Sequence, residues 1–146
     1  MEVRDRILEE SGMLFAKYGI RSMTMDALAE QMGISKRTIY ERFRDKDTLL
    51  AEVIRHFQAQ NKERAHELIE QSENAIDALF RIIRMTIGQM SQLNPNFMYD
   101  FKKYHNKVFH ECITDPGLRD YSITRKLLEK GVEQGIFRDD FNLEIV

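Results

Sequence analysis

Breaks in this chain are few and widely spaced. Gly19, Gly33, Asn94-Pro95-Asn96, Asp115-Pro116-Gly117 and Gly135 are the main ones. Between them apolar residues return every three or four positions and seldom alternate. A segment with that period buries a single stripe only as a helix, so the chain is predicted to be all-α. Seven glycines and two prolines in 146 residues are too few for a loop-rich sandwich. A hydrophobic content of 42% is enough to build a core. The lone cysteine, Cys112, excludes an internal disulfide framework and a cysteine-rich zinc site, and it fits a reducing compartment. The opening MEVRDRILEESG has no basic stretch followed by an apolar one, and no run of about 18 apolar residues occurs. A cytoplasmic protein without a membrane span is expected.

The first helix is predicted over Val3–Tyr18, with Val3, Ile7, Leu14, Phe15 and Tyr18 inward and Gly19 as its stop. Thr24 and Ser35 have the side chains that cap the next two helices, and Met25, Leu28, Ala29 and Met32 fall on one face of the first of these. Asp45 caps a fourth, whose stripe is Leu49, Leu50, Val53, Ile54 and Phe57. Residues 58–64 are polar before Leu68 and Ile69 resume the pattern, so this is one long helix or two. Residues 74–93 carry apolar side chains on more than one face, which predicts a central, buried helix. Further helices are expected over 97–110 and 118–134, with Asp140 or Asn142 capping an eighth.

Residues 25–44 read MDALAEQMGISKRTIYERFR. Ala29 is small where two helices would cross. Gly33, four residues on, can take the left-handed backbone of a tight turn. Ile39, six further, would lock the third helix onto the second. With the two caps, that spacing describes a helix-turn-helix. Ile39 and Phe43 must face inward, so Arg37 and Glu41 fall on the far side, flanked by Thr38, Tyr40 and Arg44. Such a face suits phosphates and base edges in a major groove. From Gly33 to Lys46, the cations Lys36, Arg37, Arg42, Arg44 and Lys46 outnumber the anions Glu41 and Asp45, although the whole chain carries a net charge of −2. Charges alone could merely solvate a surface helix. Charges, turn spacing and caps together favour the DNA-reading face.

Several runs make the resemblance specific: Phe15-Ala16-Lys17-Tyr18-Gly19, Thr24-Met25-Asp26-Ala27-Leu28-Ala29, Gly33-Ile34-Ser35-Lys36-Arg37-Thr38-Ile39-Tyr40, then Phe43 and Lys46-Asp47-Thr48-Leu49-Leu50. As a set, over about residues 4–55, they resemble the TetR family of bacterial transcriptional regulators. The resemblance implies an all-α homodimer. Its three-helix DNA-binding domain, residues 1–46, would bind a palindromic operator. A helical effector-binding and dimerisation domain would occupy 47–146. Two further helices are usual at the C-terminus, so the chain is either truncated there or a short relative with another dimer surface, and the first reading is preferred. Carried over by position, the DNA-contacting set is Thr24, Ser35, Lys36, Arg37, Thr38, Tyr40, Glu41, Arg44 and Lys46. Glu41 and Arg42 depart from the aromatic or His residues often found there. Glu41 either accepts from a cytosine amino group or pairs with Arg37, and the second reading is preferred. The expected function is ligand-responsive regulation, read as repression relieved by a small-molecule effector of unassigned chemistry.

The Met and aromatic residues of the C-terminal half make an ordinary core or an adaptable cavity. With the family resemblance, an effector pocket is expected from Arg84, Met85, Met90, Phe97, Met98, Phe101, Tyr104 and His105. His105 and His110 stand five apart, off a shared helical face, so no metal site and no cofactor is called for. Cys112 near Lys102, Lys103 and Lys107 is a weak redox candidate. No phosphate loop, nucleophile elbow or paired-carboxylate motif supports catalysis. The rival readings are a small helical enzyme using His105 or His110, and a helical module that binds protein.

Overall fold

The computed structural model describes residues 1–115, 121–140 and 142. The described residues form α1 (Val3–Tyr18), α2 (Met25–Met32), α3 (Lys36–Tyr40), α4 (Lys46–Gln71), α5 (Ala75–Ser91), α6 (Phe97–Tyr104), α7 (Asn106–Thr114) and α8 (Ser122–Glu133). No strand occurs among them, and none of the helices is long and apolar enough to cross a membrane. The chain divides into two compact units. One is Met1–Gln58 with Gln92–Leu118, and the other is Ala59–Ser91 with Arg119–Val146.

In the first unit α1 buries Ile7, Leu8, Ser11, Gly12 and Phe15. The expected ends of its stripe, Val3 and Tyr18, are 44% and 45% exposed. The buried face is set by what packs on it. The Phe57 ring lies so close to Gly12 that a Cβ there would meet the ring at 2.0 Å. Thr24 caps α2 by accepting from the Ala27 N–H at 3.1 Å. Gly33 ends that helix in the left-handed conformation, φ 65°, with its own N–H and that of Ile34 closing on the Glu30 and Ala29 carbonyls. Ile39 and Phe43 then reach the core at 0% and 1% exposure.

Asp45 opens α4, its carboxylate accepting from the Thr48 N–H at 2.8 Å and the Thr48 hydroxyl at 2.7 Å. The fourth helix is continuous over 26 residues. Its polar middle is made of residues such as Gln, Ala, Lys, Glu and Arg, which sustain a helix without burial. The helix expected over 97–110 is two, because the backbone bends at His105 (φ −128°, ψ 42°). Phe101 before the bend and Val108 after it both enter the core of the first unit.

The second unit comprises the end of α4 with α5 and α8. Ile69, Ala78 and Leu127 are its buried cluster, with Ile82 and Ile123 against it. The Ala75 N–H donates to the Gln134 carboxamide at 2.9 Å, and the Lys130 ammonium bonds the Ile69 and Ser72 carbonyls. The expectation that α5 is buried all round is overturned. Only Ala75 and Ala78 are buried on it, while Phe80, Ile87 and Met90 are 61–65% exposed. The small alanines let α8 approach closely, but its apolar width exceeds what this unit covers. Residues 116–120, at the expected start of the helix over 118–134, lie outside the described residues, as do 141 and 143–146, where the eighth helix was expected. Asp140 sits in an irregular segment, paired with Arg138.

Candidate nucleic-acid interface

The third helix is only five residues long, and its presentation depends on two anchors. Ile39 fixes it from below. Ser35 fixes its start, the Oγ accepting from the Thr38 N–H at 3.1 Å and lying 2.8 Å from the Thr38 hydroxyl. The opposite face is open. The Arg37 side chain is 88% exposed, and Lys36, Tyr40 and Arg44 are exposed as well. Thr24 is used as a cap acceptor, and its hydroxyl hydrogen is not part of that bond.

Every cation on this face has a carboxylate. Lys36 meets Asp26 at 2.9 Å, Arg37 meets Glu41 at 3.0 Å, Arg42 meets Glu41 at 3.7 Å and Arg44 meets Asp45 at 3.2 Å. Glu41 therefore pairs with Arg37, as preferred from the sequence. The Asp26 carboxylate raises the Lys36 ammonium above its ordinary value, through a hydrogen bond first and charge second. Exposed pairs of this kind are weak, because water screens the charges and ordering two long side chains offsets their attraction. A phosphate or a guanine edge can therefore replace the carboxylates at little cost.

Lys46 stands apart from this set. It is half-buried, its ammonium donating to the Ile20 carbonyl at 2.6 Å and lying 5.8 Å from the Phe15 ring centre. Burial pushes the ammonium down from its ordinary pKa, against the opposing charges of Asp100 and Asp47. One of its three N–H groups ties the loop after α1 to the start of α4. Sequence reasoning missed Asp26 as the partner of Lys36, because a cross-helix pair ten residues apart has no periodic signature.

The residues expected to line an effector pocket are divided between the two units. Arg84, Met85 and Met90 belong to the second. Phe97, Met98, Phe101, Tyr104 and His105 belong to the first, where several are already engaged. Phe101 stacks edge-on against Phe109 at 5.2 Å. The Tyr104 hydroxyl accepts from Arg21 at 2.9 Å, and His105 Nδ1 lies 2.5 Å from an Asp47 carboxylate oxygen. No group of three or more potential metal ligands gathers among the described residues. Burial pushes the Cys112 thiol up, which works against a reactive thiolate.

A capped reading helix, a left-handed glycine turn and an inward β-branched lock define a helix-turn-helix DNA-binding module. Residues 7–53 match the family model of bacterial regulatory proteins, tetR family, and that N-terminal segment belongs to the family. It is 34% identical over 101 residues to the HTH-type transcriptional regulator YvaF of Bacillus subtilis, covering 68% of this chain and 53% of that protein. It is 24% identical over 156 residues to the HTH-type transcriptional repressor KstR2 of Rhodococcus jostii, covering 97% of this chain and 71% of the repressor. The chain thus spans about half the length of the first relative and under three quarters of the second. Among solved structures, a transcriptional regulator from Saccharomonospora viridis in complex with choline shares the fold. Its TM-score is 0.61 at 24% identity, over 94% of this chain and 73% of that one. The ketosteroid transcriptional regulator KstR2 of Mycobacterium tuberculosis shares it too, with a TM-score of 0.52 at 19% identity, over 99% and 75% of the two chains.

Proposed function

We propose that this protein is a ligand-responsive transcriptional repressor that acts by binding and not by catalysis. As a homodimer it holds a palindromic operator through α2 and α3, and a small-molecule effector releases it. The observation that carries this reading is the reading helix itself. Arg37 is 88% exposed on a helix whose opposite residue, Ile39, is fully buried. Lys36, Thr38, Tyr40, Arg44 and Lys46, with Thr24 and Ser35, supply phosphate contacts and hence affinity. Arg37, with Tyr40, supplies base contacts and hence specificity. Residues 1–46 are the reading head, and the effector and dimer functions fall within 47–146. The choline complex of the Saccharomonospora regulator supports an effector of small-molecule size. Release follows if the effector prefers the conformation that does not fit the operator, by the ratio of its affinities for the two states.

In vitro selection of duplexes from a randomised library by the full chain tests this. The expected product is a palindrome whose half-sites lie about 34–36 Å apart. Arg37→Ala should relax preference at one symmetric position, at a cost of about 1–3 kcal/mol. No enriched sequence would overturn the reading, and an unchanged selected sequence for Arg37→Ala would remove Arg37 from the base-reading set.

A further inference from the structure

Within the first unit, a second cationic surface differs from the reading helix in how its charges are held. Arg21, in the loop after α1, lies with its guanidinium 4.7 Å from the Tyr104 ring centre and donates to the Tyr104 hydroxyl. Lys103 lies 5.3 Å from the same ring and 5.2 Å from that of Tyr99, whose hydroxyl accepts from it at 2.8 Å. Lys17 lies 5.0 Å from the Tyr18 ring. Lys102 is exposed beside Lys103 on α6. All three tyrosines are 42–58% exposed, so this is an open surface and not a core.

Among the described residues none of these four cations forms an ion pair with a carboxylate, whereas each cation on the reading face does. The Asp100 carboxylate, 9% exposed, faces the Arg21 backbone N–H at 3.4 Å, and Asp47 is held by His105, next to Tyr104 in the chain. Tyrosine rings orient a cation without neutralising it. The surface therefore keeps its full charge for a partner. It also adjoins the start of α4, because the Ile20 carbonyl that holds Lys46 precedes Arg21 in the chain.

We propose that Lys17, Arg21, Lys102 and Lys103 bind the sugar-phosphate backbone of duplex DNA outside the palindrome read by α3. This rests on the DNA-binding reading above and extends the footprint of the protein. Each phosphate neutralised by a lysine or arginine releases condensed counterions, so unpaired cations add salt dependence and affinity without sequence preference. Neutral partners and small monovalent ligands would gain little from such a spread of charge.

The test compares the full chain with Lys102→Gln/Lys103→Gln on two probes: the palindrome selected by the wild type, and the same palindrome centred in a duplex of about 60 base pairs. On the long duplex the double variant should lose about four units of the slope of log K against log salt, because the homodimer carries four substituted lysines at about 0.9 per phosphate. On the short duplex the two proteins should match, and both should select the same sequence. Lys17→Gln, on another element, should lose about two units on the long duplex alone, one per protomer. Equal slopes for wild type and variants on the long duplex would overturn the proposal. Failure of the wild type to select any sequence would instead overturn the reading of α3. Arg37→Ala separates the two again, since it should change sequence preference and leave the length-dependent slope intact.

Discussion

The two units treat the same kind of sequence differently. In the first, Phe15, Leu28, Ile39, Phe43, Leu49 and Leu50 are at most 1% exposed, and residues from six helices close around them. In the second, Ile69, Ala78 and Leu127 are the buried cluster, and Phe80 and Ile87 remain 63% and 61% exposed. Both regions have helical apolar periodicity. The difference is that α1 to α4, α6 and α7 surround a common centre, while α5 has an apolar arc wider than its neighbours in the unit cover. An amphipathic pattern marks which residues seek burial and does not supply the surface that buries them.

The sharpest way to break that comparison is a pair of truncations. Ile39→Ala should cost about 2–5 kcal/mol, since it leaves a cavity in a closed core. Phe80→Ala should change stability by no more than about 0.5 kcal/mol. Urea denaturation of both variants reads the difference. A cost above about 2 kcal/mol for Phe80→Ala would mean that the α5 face is covered in solution.

A second pair uses glycines. Gly12→Ala adds a methyl where the Phe57 ring already stands, 2.0 Å from the new carbon, and should destabilise by about 1–3 kcal/mol. Gly88, on α5, has nothing within 4 Å of its Cβ position. Its replacement by Ala should stabilise by about 0.5–1 kcal/mol through lower unfolded-state entropy. Thermal melts of the two variants should therefore move in opposite directions, and a shared direction would contradict the packing difference.

The smallest effect concerns acid. Hydrogen bonds from the Thr48 N–H and hydroxyl hold the Asp45 carboxyl below its ordinary value, with Arg44 adding to them. A carboxyl whose folded value is the lower one contributes stability that is present above the unfolded value and lost as pH falls through the folded one. Asp45→Asn should flatten the acid limb of stability below about pH 4, read by denaturation at stepped pH. An unchanged acid limb would mean that the cap does not carry that dependence.

Much of the reading head was legible in the sequence. The caps at Thr24 and Ser35, the turn at Gly33 and the lock at Ile39 are local. Each depends on the conformation of a few neighbouring residues, so spacing reveals it. The break at His105 was not legible, because nothing in Tyr104-His105-Asn106 stops a helix by propensity alone. There the ring is held by Asp47, 58 residues away in the chain. The same limit applied to the pairing of Lys36 with Asp26 and to the stacking of Arg21 on Tyr104.

The sequence by itself determined that this chain is all-helical, where its reading helix begins, and which way Arg37 faces. Those follow from backbone preferences and a period of 3.6, which act within one turn of helix. Only the tertiary structure decided which cations meet carboxylates and which meet tyrosine rings, which face of α1 is buried, and that the apolar face of α5 stays open. Those depend on residues brought together from distant parts of the chain, and one-dimensional spacing carries no record of that approach.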